Sequence, residues 1–123
     1  MTSVKELLVE NHVAFTGVAS SGAPIITSVG GFRIFKGNAT SGAPLYTMSG
    51  NQLFRGMATS GMPLVTVVGD LIFPDNDTAG APLAKLKRTQ SFKGIAGSGA
   101  VITTVPSGDR ATLVAATYHV LRG

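Results

Sequence analysis

Phe54-Arg-Gly-Met-Ala-Thr-Ser-Gly61-Met-Pro63-Leu-Val-Thr-Val-Val-Gly69-Asp-Leu-Ile72 is one copy of a unit that occurs five times, and its reading decides the fold. The same order of residue types runs from Phe15 with Gly22 and Pro24, and from Phe35 with Gly42 and Pro44. It returns in drifted form from Phe73 with Gly80 and Pro82, and from Phe92 with Gly99 but no Pro. Phe recurs at intervals of 20, 19, 19 and 19 residues, and Gly22, Gly42, Gly61, Gly80 and Gly99 repeat those intervals, so two independent positions keep one period.

Strand geometry sends alternate side chains to opposite faces, and the unit alternates accordingly. Phe35, Gly37 and Ala39 share one parity, whereas Lys36, Asn38 and Thr40 share the other. Beyond the Ser-Gly-x-Pro turn, Leu64 to Val68 is rich in β-branched residues, the composition of a strand covered on both sides. The paired turn residues Gly30-Gly31, Gly50-Asn51, Gly69-Asp70 and Gly108-Asp109 separate apolar runs in the manner of hairpins. Each unit is therefore strand, Gly-Pro turn, strand, Gly turn. Pro at a strand start is tolerated because the missing N–H falls at an end or edge. Gly17, Gly37, Gly56 and Gly94 are expected where a neighbouring backbone or a symmetry axis crowds the chain.

The expected fold class is all-β, with five two-strand, hairpin-like repeats arranged either as a trimeric β-spiral or prism, or as a small β-barrel or sandwich. The expected organisation is an N-terminal cap or docking segment, 1–14, five repeats at 15–34, 35–53, 54–72, 73–91 and 92–110, and a closing strand at 111–123. In the first segment, Ser3 to Glu6 has capping-box spacing, and Val4, Leu7 and Leu8 fall on one helical face, although a strand fits equally well. Val114, Ala116, Tyr118 and Val120 alternate with Leu113, Ala115, Thr117 and His119, which predicts the strand. Atypical ends are the usual caps of repeat arrays.

Composition narrows the functional classes. Hydrophobic residues are 44% and charged residues 13%, a balance that excludes disorder driven by charge. The +4 net charge is spread along the chain, with one cluster at Lys85, Lys87 and Arg88, and supplies no continuous basic stripe for nucleic acid. Cys is absent, so stability is expected from packing, backbone pairing or assembly. Lys5, Glu6 and Glu10 interrupt the window of a signal peptide, and no apolar run reaches the length of a membrane span, so a soluble protein is expected.

Pro44-Leu-Tyr-Thr-Met-Ser-Gly-Asn-Gln-Leu53, followed by Phe54 to Leu64, resembles the shaft repeats of trimeric viral fibres, and the likeness covers about residues 15–105. In that family, Pro-Leu, an alternating strand, a turn and a Leu-containing strand repeat, and three chains share one axis. The resemblance implies a homotrimer in which Phe15, Phe35, Phe54, Phe73 and Phe92 form a ladder shielded from water. The unit here is longer than in such shafts, and the chain is short. Both departures point toward a capsid decoration, cement or short head-fibre protein of a tailed bacteriophage, assembled in the host cytoplasm and carried on the virion surface. The partners so implied are further copies of the chain and the major capsid protein. Val4, Leu7, Leu8 and Val13 are the expected docking residues on the shell.

Nothing in the sequence assembles a catalytic set or a cofactor motif. His12 and His119 lie near opposite ends of the chain and have no partner at motif spacing. Asp75-Asn76-Asp77 offers oxygen ligands but lacks the Gly and distal Glu of a calcium loop, and reads as a polar turn. No enzyme, metal or cofactor is expected. The alternative function is a tail-fibre-like adhesin or carbohydrate-binding module, although Trp is absent and only Tyr46 and Tyr118 offer the usual amphipathic rings. A ladder of Thr27, Thr47, Thr66 and Thr103 gives a third reading, an ice-binding face.

Overall fold

The computed structural model describes residues 11–30, 32–95 and 97–122. Ten antiparallel strands follow the repeat: β1 (Asn11–Thr16), β2 (Ile26–Val29), β3 (Arg33–Lys36), β4 (Tyr46–Ser49), β5 (Gln52–Arg55), β6 (Val65–Val68), β7 (Leu71–Pro74), β8 (Ala84–Lys87), β9 (Gln90–Lys93) and β10 (Val101–Thr104). They pair in chain order, and β1 also pairs with β10, placing Phe15 opposite Thr104, so the sheet closes into a barrel within one chain. Closure leaves no strand edge unpaired. Asn11 to Ala14 are therefore part of the barrel wall, and a separate cap reaching residue 14 is corrected accordingly.

Short turns join the strands at one end of the barrel, and longer loops join them at the other, of nine residues in four cases and seven in the fifth. Gly50-Asn51 and Gly69-Asp70 are two-residue turns, flanked by the pairs Ser49 with Gln52 and Val68 with Leu71. Their first residues hold φ of 63° and 61°, the left-handed value that a tight hairpin requires there. Between Val29 and Arg33 the turn has three residues. That extra residue is the reason the first Phe interval is 20 and not 19. In the fourth unit the turn is Arg88-Thr89, and Arg88 takes the same left-handed conformation at φ 57° without being Gly.

Residues 110–122 are not a strand. They form helix α1 (Arg110–Arg122), and Gly108-Asp109, expected as a hairpin turn, leads into it. Asp109 is the N-cap: its Oδ2 accepts from the Thr112 backbone N–H at 3.0 Å and from the Thr112 hydroxyl at 2.7 Å. His119 and Arg122 lie in the last turn, where positive charge suits the helix dipole. Thr112 to Tyr118 are seven consecutive buried residues, so the helix is covered on every side. It runs down the barrel lumen, packed against β1, β2, β4, β8, β9 and β10.

The helix starts at the turn end, where Arg110 donates to the Gly69 carbonyl and lies 3.3 Å from Asp70. It finishes near the loop end, where His119 Nδ1 is 2.8 Å from the hydroxyl of Tyr46. The lumen wall is a ring of cross-strand pairs: Ala14 with Ile26, Ile34 with Tyr46, Leu53 with Val65, and Ile72 with Ala84. These residues and the apolar positions of α1 form one core. Strands β9 and β10 substitute hydroxyls: Ser91 and Thr103 lie 3.0 Å apart, and Thr117 of the helix lies 2.8 Å from Ser91. Apolar packing has no direction, whereas these hydrogen bonds do, so they fix the rotation of the helix about its axis.

Candidate functional site

The five repeated Phe residues lie on the outer face of the wall, one position after the lumen-facing Ala14, Ile34, Leu53, Ile72 and Ser91. They are nevertheless buried, at 3% to 6% exposure. Phe35, Phe54 and Phe73 stand opposite Thr27, Thr47 and Thr66, and Phe92 opposite Lys85. Over Phe92 the fifth loop supplies cover. Lys87, on the outer face of β8, donates to the Gly97 carbonyl at 3.2 Å, so the fifth loop folds back down the wall. There Gly97, Ser98 and Gly99 line one groove with Phe92, Gln90 and Val18.

Hydroxyls pin the roots of these loops. Thr27 donates to the Gly37 carbonyl, Thr47 to Gly56, Thr66 to Asp75 and Thr104 to Gly17, at 2.6 to 2.7 Å. The recurring Thr is thus used inside the protein. Thr27, Thr47 and Thr66 are buried, and Thr103 is not their equivalent, because it faces the lumen and Thr104 takes the place in register. An exposed Thr ladder for ice is therefore corrected. The crowding expected at Gly17, Gly37, Gly56 and Gly94 is corrected too. A Cβ there meets nothing within 4 Å, and the four residues hold φ of 61° to 68°, so backbone conformation and not space selects Gly.

Farther along each loop, Gly22, Gly42, Gly61 and Gly99 share φ near 94° to 101°, and Pro24, Pro44 and Pro63 lead into the next strand. Gly80 departs from this set. In its loop Asp77 accepts from the Ala79 N–H at 3.2 Å, and its carboxylate lies against Gly80, which makes a polar turn that ends at Pro82. Four of the five loops carry no charged residue between their first Gly and the following strand. Their outer surface holds Val18 and Ile95, each 71% exposed, with Met57 at 63% and Met62 at 68%.

A second concave surface lies at the turn end, where α1 meets the wall. It is a cleft of about 540 Å³ lined by Phe32, Met48, Asn51, Val67, Ala111 and Val114, with Arg110 at its side. Phe32 is 45% exposed, and the Arg33 guanidinium lies 5.3 Å from the centre of its ring. On the other side of this end, His12 Nδ1 is 2.7 Å from the Ser107 hydroxyl, and its Nε2 is 3.7 Å from Asp109. These contacts clasp β1 to the segment that carries the helix cap. His12 and His119 thus sit at opposite ends of the barrel, and the fold does not bring them together.

Val13, an expected docking residue, is a half-buried outer residue of β1, paired with Thr27. Val4, Leu7 and Leu8 lie outside the described residues. Among the described residues no three His, Asp or Glu side chains cluster as metal ligands, and no helix is long and apolar enough to cross a membrane. Burial and the neighbouring Tyr118 raise the pKa of the Tyr46 phenol above 10, against an opposing pull from Arg55. The loop surface and the cleft both escape a reading by sequence. The uncharged loops were legible as a composition, but that the fifth folds onto the wall was not.

No protein-family model, no curated protein and no solved structure matches this chain.

Proposed function

We propose that the chain is a non-enzymatic structural component of a bacteriophage particle, a decoration or cement protein that acts as a homotrimer on the outer surface of the shell. The observation that carries this reading is the pairing of a filled barrel with an adhesive exterior. The lumen, where a barrel of this kind could admit a small molecule, is occupied by the chain's own helix. The large apolar side chains left in water include Val18, Met57, Met62 and Ile95, on loops otherwise built of Ala, Gly, Ser and Thr.

Uncharged loops with isolated apolar anchors carry little desolvation cost and fit the core of a protein interface. The loops surround the barrel at pseudo-fivefold intervals, so several face a partner in any orientation. Repetition on a symmetric shell turns weak contacts into durable attachment. The docking surface is accordingly the loop wall in this proposal, in place of Val4, Leu7, Leu8 and Val13, and the partner is the major capsid protein.

The test has two parts. Light scattering of the purified protein is expected to give three times the 12.6 kDa chain mass, and a stable monomer removes the trimer from the proposal. Particles purified from the source on a density gradient are expected to carry the protein, and the double variant Met57→Asp with Met62→Asp is expected to fold yet fail to rebind stripped particles. Undiminished rebinding by that variant, or particles devoid of the protein, overturns the reading.

A further inference from the structure

The last two units break the wall pattern together. Where β2, β4, β6 and β10 carry Thr27, Thr47, Thr66 and Thr104 on the outer face, β8 carries Lys85, and Lys87 follows on the same face opposite Gln90. Lys85 has no hydroxyl with which to pin a loop root. Instead Lys87 Nζ donates to the Gly97 carbonyl at 3.2 Å, and the Lys85 ammonium lies beside Gly97. Val101 stands where the other units have Pro, so β10 begins two residues early, pairs with Phe92 and shortens the loop.

These departures accompany a groove of about 780 Å³, lined by Gln90, Phe92 and Val101 of the wall, Ser98 of the fifth loop and Val18 of the first. Lys87 and Arg88, both exposed, also line it, and no Asp or Glu does. Among the described residues, no carboxylate lies within ion-pair distance of Lys85, Lys87 or Arg88. Of the carboxylates at the turn end, Asp70 meets Arg110 and Asp109 caps α1. The Lys87 ammonium has three donors and gives one of them to Gly97, so it retains capacity for a ligand. A concave surface with uncompensated positive charge draws an anionic partner.

The form of the groove selects among anions. Its volume suits a short length of chain better than a single ion. Lys85 and Lys87 leave one face of a strand two residues apart, about 7 Å along it, and an extended peptide with carboxylates at alternate positions repeats at the same interval. A nucleic-acid strand needs ring faces on which to stack, and here Phe92 is 6% exposed with no Tyr or Trp beside it. We propose that this groove binds an extended acidic segment of a partner protein, with Lys85, Lys87 and Arg88 meeting its carboxylates. The inference does not depend on the virion reading, because it rests on the charge and shape of one sector of the wall.

The probe is a fluorescein-labelled peptide of alternating Asp and Ser, with a control peptide in which Asn replaces Asp, and the readout is fluorescence anisotropy with the full-length protein at low ionic strength. The Asp peptide is expected to bind saturably and the Asn peptide at least tenfold more weakly. Lys85→Thr with Arg88→Gly installs the residues that other units use at these places, so the chain is expected to fold and to lose at least tenfold in affinity. Lys36→Thr with Arg55→Thr removes the same charge from the loop end, and its affinity is expected to stay within about twofold of the parent. Should circular dichroism show that the first variant misfolds, Ser98→Glu, which sets a carboxylate on an exposed loop residue of the groove, is expected to give the same loss.

Absence of saturable binding by the Asp peptide overturns the proposal. So does an equal loss in the two double variants, which reduces the attraction to net charge. A ten-nucleotide oligothymidylate that binds more tightly than the Asp peptide, and loses its affinity in the same groove variants, counts against it as well, because it assigns the groove to nucleic acid.

Discussion

Arg88→Gly is expected to make the protein more stable, although it deletes a side chain and adds a flexible residue. Four hairpin turns close the turn end of the barrel, and the left-handed position is Gly in three of them, at φ 69°, 63° and 61° for Gly30, Gly50 and Gly69. Arg88 holds φ 57° in the fourth. For a residue with a Cβ that conformation costs about 1–2 kcal/mol. Glycine returns about 0.5–1 kcal/mol of this through the greater freedom of its unfolded chain. The net gain is about 0.5–1 kcal/mol, which raises the melting temperature by about 4 °C in a domain of this size. The reciprocal change, Gly50→Ala, meets no atom within 4 Å of the new Cβ, so its expected loss of about 1 kcal/mol or more is conformational alone. Urea denaturation followed by circular dichroism measures both, as shifts in midpoint at constant slope. If Arg88→Gly proves destabilising while Gly50→Ala is neutral, the left-handed turn and the strand register built on it are wrong.

Three other outcomes follow from the interior. Among buried side-chain atoms of the described residues, the Ser28 hydroxyl has no hydrogen-bond partner, while the corresponding positions hold Met48, Val67 and Leu86, so Ser28→Ala is expected to stabilise by about 1 kcal/mol in the same urea titration. Leu113→Ala opens a cavity in the lumen, where Leu113 is fully buried, and is expected to cost about 3 kcal/mol; a loss below 1 kcal/mol contradicts a helix packed on all sides. The raised pKa of Tyr46 means that the folded state keeps its proton to higher pH than the unfolded chain does. Its contribution is complete below the ordinary value of 10.0 and is lost as pH rises through the folded value. Tyr46→Phe is therefore expected to flatten the alkaline limb of stability measured from pH 8 upward, and an unchanged limb refutes that role.

The strands were legible because hairpins are local. Phe54, Gly61 and Pro63 with Gly69-Asp70 specify two strands and two connections within nineteen residues, and the copies confirm one another. The helix was not, for a physical reason. A helix at a surface shows one apolar stripe, but Leu113, Val114, Ala115 and Ala116 are all buried in a lumen, so no stripe exists and a chance alternation reads as a strand. Asp109 was the available signal, an N-cap ahead of a run of good helix formers, and its pairing with Gly108 disguised it as a turn. Phe burial followed from its period, whereas the side of the wall it occupies did not, because parity defines two faces without naming which encloses the core. The fourth unit hid its turn at Arg88 for the simplest reason: the conformation persists where the residue that advertises it has been replaced.

A helix at the centre also fixes how many units the chain can use. In most tandem proteins a module can be gained or lost, because each contacts only its neighbours. Here every module touches a common core of fixed girth. Duplicating one nineteen-residue unit in frame would widen a ring of roughly 20 Å by about a fifth and leave α1 surrounded by void. Losing one would leave no room for it. The helix is a gauge against which the repeats are counted, and it ties this barrel to five units.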